Sequence, residues 1–427
     1  MSENQFKKAT LCVQAGWKPK NGEARVLPIF QSTTFKYDTS EEMAKLFDLE
    51  ANGYFYTRLQ NPTNDAVASK IAALEGGVGA MLTSSGQAAN FFALFNICEA
   101  GDHVVSTSNI YGGTYNLIAV TMKKLGIDCT FIDQDLPEEE LVKAFKPNTK
   151  VLFGEMLSNP NVKVLDVEKF ARLAHSQGVP FIIDNTFPTP INCNPFEWGA
   201  DIITHSTTKY MDGHATNVGG CIVDSGNFDW DAYADKFPGL CKPDPSYHGL
   251  TYTKKFGKMA YLTKATSQLM RDLGSIQAPQ NAFLLNLGLE TLHLRVPCHS
   301  SNALAVAKWL KNNDKVAWVN YPGLEGDASY ALAQKYMPNG ASGVIAFGMK
   351  GGKQVAIDFM DHLKLAAIVT HVADARTCVL NPASHTHRQL SDEQLKEAGI
   401  APDLIRLSVG IEDVDDIIED LRQAMEY

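Results

Sequence analysis

The sequence predicts an α/β protein: a mostly parallel sheet covered by helices on both faces, followed by a smaller C-terminal α/β domain. Three observations carry this. Between about residues 61 and 225, short apolar runs of strand length alternate with helical stretches. From about residue 283 a second alternation of the same kind begins. The 427 residues, 45% apolar and 20% charged, have an ordinary globular composition and suffice for two or three cores.

Taken in order, residues 1–60 hold few periodic segments. Leu27-Pro28-Ile29-Phe30 and Asn61-Pro62-Thr63 punctuate an extended arm, which must lie on this subunit or on a neighbour. Residues 61–282 form the large domain. Its strands are expected at Gly79–Thr83, His103–Ser106, Cys129–Asp133, Val151–Gly154, Phe181–Asp184 and Asp201–Thr204, with helices near 87–99, 114–125, 137–145 and 167–177. Residues 226–265 read as a long irregular stretch rich in Trp, Tyr, Pro and Gly, of a length that lines a site or an interface. Residues 283–427 form the C-terminal domain, with helices near 301–313, 354–362 and 413–426 and strands at Val316–Val319, Gly343–Phe347 and Leu404–Ser408. In mostly parallel sheets ligands bind beyond the carboxyl ends of the strands.

The formal charge is −10, without a long run of either sign. That argues against nucleic acid or an acidic membrane as partner, so an anionic ligand needs a few local cations. The eight cysteines are scattered without Cys-x-x-Cys pairs, which fits reduced thiols and no metal knuckle. Met1–Phe6 lacks the apolar core of a signal peptide, and no apolar run is long enough to span a bilayer. The expected location is the cytoplasm.

Lys209 lies in Thr204-His205-Ser206-Thr207-Thr208-Lys209-Tyr210, just after an apolar strand. Burial there lowers the charge of a lysine, and the neutral amine can attack a carbonyl; a solvated structural lysine is the plain alternative. Ser206 and Thr208 are short donors suited to a phosphate beside it. Ser84-Ser85-Gly86-Gln87 opens a helix after the first strand, as an N-cap, an anion site or both. Asp184 ends an apolar strand, where a carboxylate needs a partner such as a pyridinium nitrogen, or else caps a turn with Asn185. Tyr111, on a compact glycine loop, can stack on a flat ring or simply pack. Tyr56 and Arg58 point the same way in extended chain and suit a phosphate or a surface ion pair. Arg406, inside an otherwise apolar strand, most plainly faces a cavity and grips a carboxylate.

Together these segments resemble the Cys/Met-metabolism family of pyridoxal-phosphate enzymes, with the aspartate-aminotransferase-like fold (PLP fold type I). The stretches that carry the resemblance are Tyr56-Thr57-Arg58, Ser84-Ser85-Gly86, Tyr111-Gly112-Gly113, Asp184-Asn185-Thr186, Ser206-Thr207-Thr208-Lys209-Tyr210, Asn381-Pro382-Ala383-Ser384 and Arg406-Leu407-Ser408-Val409-Gly410. The resemblance implies pyridoxal 5′-phosphate as cofactor, bound covalently by Lys209, which then shuttles protons. It pairs Asp184 with the pyridine nitrogen and stacks Tyr111 on the ring. It gives the phosphate to Gly86, Gln87, Ser206 and Thr208, joined by Tyr56 and Arg58 from a neighbouring subunit. It gives the substrate carboxylate to Arg406, with Asn159 near the cofactor's 3′-oxygen and Glu155 behind it. It also implies a homo-oligomer, a dimer and commonly a tetramer built as a dimer of dimers.

Within the family, the expanded segment around Phe237-Pro238-Gly239 and Pro243-Asp244-Pro245, Gly113, and Ala278-Pro279-Gln280-Asn281 are similar to the O-acetylhomoserine sulfhydrylase branch. That branch implies γ-replacement of acetate by sulfide on O-acetyl-L-homoserine, or by methanethiol. A γ-lyase or a cystathionine synthase or lyase is the alternative. Thr370-His371-Val372-Ala373-Asp374 departs from the Ala-Asn-Val-Gly-Asp more usual there, and His371 is expected beside the carboxylate pocket.

Overall fold

A computed structural model describes residues 6–385 and 401–427. Two sheets organise it. The larger has seven strands in the order β1-β7-β6-β5-β4-β2-β3: β1 Gly79–Thr83, β2 His103–Thr107, β3 Asp128–Ile132, β4 Thr149–Glu155, β5 Phe181–Asp184, β6 Ile202–His205 and β7 Gly220–Asp224. Its strands pair in parallel except β7, which runs antiparallel to both β1 and β6. β2, β6 and β7 are buried along their whole length, as strands covered on both faces must be. The six expected strands are all present, and β7 is an addition. It returns directly from β6 without a crossover helix, so the alternation of strand and helix gives no sign of it.

Asn61-Pro62-Thr63 does more than punctuate an arm. Asn61 caps a helix at Pro62–Glu75, accepting the Thr63 N–H at 2.9 Å, with Pro at the first turn and Gly76 closing the helix in the left-handed region at φ 81°. The arm lies partly on its own subunit. Leu11 and Cys12 of the helix Lys8–Gln14 are buried in the same core as Val67 and Ile71. Val26, Ile29 and Phe30 further along remain exposed. The stretch 226–265, expected to be irregular, contains short helices at Pro238–Cys241, Tyr252–Phe256 and Ala260–Lys264. Its aromatic residues are the reason: Trp230, Phe237, Tyr252 and Tyr261 are buried in one cluster, with Trp230 stacked on Tyr261 at 5.6 Å.

The second sheet has the order β10-β11-β12-β9-β8, with β8 Val316–Asn320, β9 Val344–Met349, β10 Ala367–Ile368, β11 Cys378–Leu380 and β12 Leu404–Ser408. It is antiparallel apart from the β10–β11 pair. The expected domain boundary after residue 282 falls inside the helix Pro279–Glu290, whose Ala282, Leu285 and Leu289 belong to the larger core. The hand-over occurs along the next helix, Leu292–Lys311: Val296 packs in the first core and Ala303 and Val306 in the second.

That helix also anchors the turn after β6. The buried Arg295 guanidinium donates to the carbonyls of Tyr210 (2.8 Å) and Gly288 (2.7 Å) and to the Thr291 hydroxyl (3.1 Å). From the other side, the Tyr210 hydroxyl accepts the Gly343 N–H at 2.9 Å, tying the turn to the start of β9. Arg295→Ala would strand buried carbonyls in both segments. We predict a loss of roughly 3 kcal/mol, read as a lower denaturant midpoint in guanidinium unfolding.

Candidate active site

The carboxyl ends of β1, β4, β5 and β6 converge on a cavity of about 350 Å³. Gly86, Gln87, Tyr111, Asn159, Asp184, Ser206, Thr208, Lys209, His371 and Arg406 all line it, so ten expected residues from distant parts of the chain meet in one place. Tyr56 and Arg58 do not. Arg58 lies over the Tyr56 ring at 5.2 Å and donates to the Arg271 carbonyl, away from this cavity. A larger depression of about 860 Å³ between the arm and residues 255–276 lacks any such convergence of lysine, aspartate and arginine. The chemistry lies in the smaller one.

One end of the cavity is an anion cradle. Ser85 caps the helix Gly86–Phe95, accepting the Ala88 N–H at 3.0 Å. This leaves the Gly86 and Gln87 N–H groups at the helix start without a partner among the described residues. A Cβ on residue 86 would stand 2.6 Å from Ser206 Cβ and 2.8 Å from its Cα, so only glycine lets these two backbones meet. The Gln87 side chain is engaged elsewhere, donating to Gly113 O (2.8 Å) and accepting from the Thr114 hydroxyl (3.1 Å). What Gln87 offers an anion is its N–H. The Thr208 hydroxyl likewise bridges Gly219, donating to its carbonyl (3.2 Å) and accepting its N–H (3.0 Å), and must turn to reach a phosphate.

At the middle of the cavity, Asp184 accepts the Thr186 N–H at 2.9 Å and the Asn90 amide at 3.4 Å. Thr186 in turn accepts the Ser206 N–H at 2.8 Å, joining the ends of β5 and β6. Asn90 and Thr186 were not singled out in the sequence. Asn90 sits one helical turn beyond Gly86, and that i+4 spacing is the signal that would find it. Glu155 is paired with Asp184 across β4 and β5 and is buried; desolvation first, and then Asp184, hold its carboxyl well above the usual range. It accepts N–H bonds from Tyr111 (2.7 Å) and Asn159 (3.3 Å), fixing both lining residues.

Lys209 and Arg406 close the far side. Burial, reinforced by the Arg406 charge, pushes the Lys209 amine down to about 8. Arg406 is 5% exposed and donates to Asn159 Oδ1 (3.1 Å) and to the carbonyls of His371 (3.2 Å) and Thr370 (3.4 Å). No carboxylate is paired with it among the described residues, so a buried guanidinium is left for an external anion.

A helix-start N–H cradle, a buried-edge aspartate, a tyrosine and a lysine of lowered basicity in one cavity fit a pyridoxal-phosphate enzyme. Residues 9–426 match the profile of the Cys/Met metabolism PLP-dependent enzymes, and the chain belongs to that family. The O-acetyl-L-homoserine sulfhydrylase of Leptospira meyeri is 44% identical over 430 residues, covering 98% of this chain and 97% of the relative. The homocysteine synthase of Schizosaccharomyces pombe is 46% identical over 98% of this chain and 97% of its own. A crystal structure of a putative O-acetylhomoserine (thiol)-lyase from Campylobacter jejuni, which carries an N′-pyridoxyl-lysine-5′-monophosphate, superposes with a TM-score of 0.96. It is 38% identical and covers 99% of this chain and 100% of that one.

Two outcomes follow. Gly86→Ala forces helix and strand end apart, and overpacking of about 1–3 kcal/mol weakens pyridoxal-phosphate retention by roughly 10- to 100-fold in an equilibrium titration. With the Lys209 amine held near 8, we predict that pyridoxal phosphate added to the apoprotein attaches at a rate that rises with pH through about 8, well below an ordinary lysine.

Proposed function

We propose that this chain catalyses γ-replacement, converting O-acetyl-L-homoserine and sulfide to L-homocysteine and acetate, with methanethiol as a second nucleophile. The observation that carries the reaction class is one cavity holding Lys209, Asp184 and an unpaired Arg406. The relatives similar over nearly the whole chain narrow the substrate.

Gly86, Gln87, Ser206 and, after rotation of its hydroxyl, Thr208 would hold the phosphate. Asp184 would hold the ring nitrogen and Tyr111 the ring face. Asn159 would serve the 3′-oxygen. When bound, pyridoxal phosphate supplies an electron sink for negative charge developing at the substrate's Cα. Arg406 grips the substrate carboxylate in bidentate fashion, with Asn159 and the 370–371 carbonyls fixing the guanidinium plane. Lys209, freed by the incoming amine, removes the Cα proton; an amine near 8 is a competent base at neutral pH. The same amine carries protons to and from Cβ while acetate leaves Cγ and the thiol arrives. Acetate is a good leaving group, so no dedicated acid is needed at the ester.

The functional unit we propose is a homo-oligomer, in which Tyr56 and Arg58 of one copy complete the phosphate site of the next. Their distance from their own cavity and the exposed arm residues Val26, Ile29 and Phe30 support it.

Lys209→Ala abolishes turnover and removes the near-ultraviolet to violet absorption of the lysine-bound cofactor; wild-type rates in that variant would reject the assignment. O-acetylhomoserine, O-succinylhomoserine, O-acetylserine, cystathionine and methionine, each with and without sulfide, test the substrate. Homocysteine from the first with sulfide is the expected result. Sulfide-independent 2-oxobutanoate as the main product would make it a lyase instead.

A further inference from the structure

Six ionisable side chains line the cavity: Tyr111, Glu155, Asp184, Lys209, His371 and Arg406. The proposed reaction occupies five of them. Glu155 secures the Tyr111 and Asn159 backbones, and the other four serve cofactor, substrate carboxylate and Cα. His371 alone has no task, and its surroundings are built. Its carbonyl is pinned by Arg406 (3.2 Å) and by the Cys378 thiol (3.5 Å). Its Nε2 is buried without a hydrogen-bond partner, and stands 3.7 Å from Asp374 Oδ2.

Asp374 is held in place for this. Its Oδ1 accepts the Arg376 N–H at 2.6 Å, which leaves Oδ2 toward the imidazole. Between the two residues Ala373 adopts φ 67°, a left-handed conformation costly for alanine, secured by its N–H donating to Ser408 Oγ at 2.7 Å. The charges facing the ring are Lys209 and Arg406, which disfavour its protonation, and Asp374 and Asp212, which favour it. Burial is the largest influence and, with Lys209, lowers the pKa of the imidazole and so favours its neutral form. The Asp374 carboxylate at 3.7 Å favours a proton on the adjacent Nε2 electrostatically, and in that tautomer Nδ1 carries the free lone pair.

We propose that His371, oriented by Asp374, is the base that takes the proton of the incoming thiol. The proposal rests on the γ-replacement reading and deepens it. The S–H proton passes to Nδ1, and sulfur keeps both bonding electrons and uses them for the new bond to Cγ. Acetate departs with the C–O pair, and the imidazolium, paired with Asp374, returns its proton to water. Overall one S–H and one C–O bond break, one C–S bond forms, and acetate and a proton are released. Hydrogen sulfide is a stronger acid than an alkanethiol, so methanethiol depends on this base more than sulfide does.

The test compares wild-type, His371→Asn and His371→Gln holoenzymes with O-acetylhomoserine and either sulfide or methanethiol across a pH series. Acetate is read in the pre-steady-state burst and thioether or homocysteine at steady state. In both variants kcat/KM for methanethiol should fall by roughly 10²-fold, more than for sulfide and more than the acetate burst. The wild-type methanethiol profile should fall as pH drops below the His371 pKa, and this limb should vanish in the variants. Imidazole 13C NMR should show that pKa lowered further by Asp374→Asn. Equal losses for burst and both thiols, or an acid limb that survives, would overturn the role of His371. A wild-type enzyme that releases acetate yet makes no carbon–sulfur bond would instead overturn γ-replacement itself.

Discussion

A half-buried cation, Lys209, and a buried one, Arg406, share one cavity, and among the described residues neither forms an ion pair. Each makes the other's charge more costly in a medium of low polarity. The lysine relieves this by giving up its proton more readily, which a guanidinium cannot do. Arg406 is therefore the fixed charge around which the site is arranged. It is tolerated because three oxygens, one from Asn159 and two from the 370–371 backbone, accept its N–H groups. A carboxylate among those oxygens would have quenched the charge; none is paired with it among the described residues, so the charge stays available to an external anion.

The other half of the site shows the converse for anions. Asp184 and Glu155 are cross-strand neighbours at the ends of β5 and β4. Both line the cavity: Asp184 accepts from Thr186 and Asn90, whereas desolvation and then Asp184 push the Glu155 carboxyl well above its usual range. Two carboxyl groups so close cannot both be charged cheaply, and Glu155 is the one whose charged form is disfavoured. It serves as a brace for the Tyr111 loop and Asn159.

Much of this was legible in the residues. Asp184, Ser206, Lys209 and Arg406 stand out because each is polar at the end of, or inside, an apolar run, where an unpaired polar group demands an explanation. The first six strands were legible from short apolar runs between helical stretches. The helix Pro62–Glu75 was not, although Asn61, Pro62 and Gly76 mark its ends: nine of its residues are buried on several faces, so it has no amphipathic stripe. β7 follows β6 without an intervening helix and pairs on its other edge with the distant β1, and β10, of two exposed residues, is too short to leave an apolar run. Thr186 was silent because its contact forms only when the ends of β5 and β6 are brought together, whereas Asn90 is marked only by its spacing from Gly86. The commitments of the Gln87 amide and the Thr208 hydroxyl to Gly113 and Gly219 are tertiary facts of the same kind.

The helix Leu292–Lys311 runs as one rod from the core of the first sheet into that of the second. Lys209 is steadied from the first sheet's side and Arg406 is carried by the second sheet, and the rod is one of the ties between the two sides, with the Tyr210–Gly343 and Arg406–Asn159 hydrogen bonds. Pro297 lies at the point of transfer, where it lacks the N–H for an intrahelical bond. A substitution that restores an N–H at position 297 would therefore change the rod where the two cores meet, at a point outside the cavity.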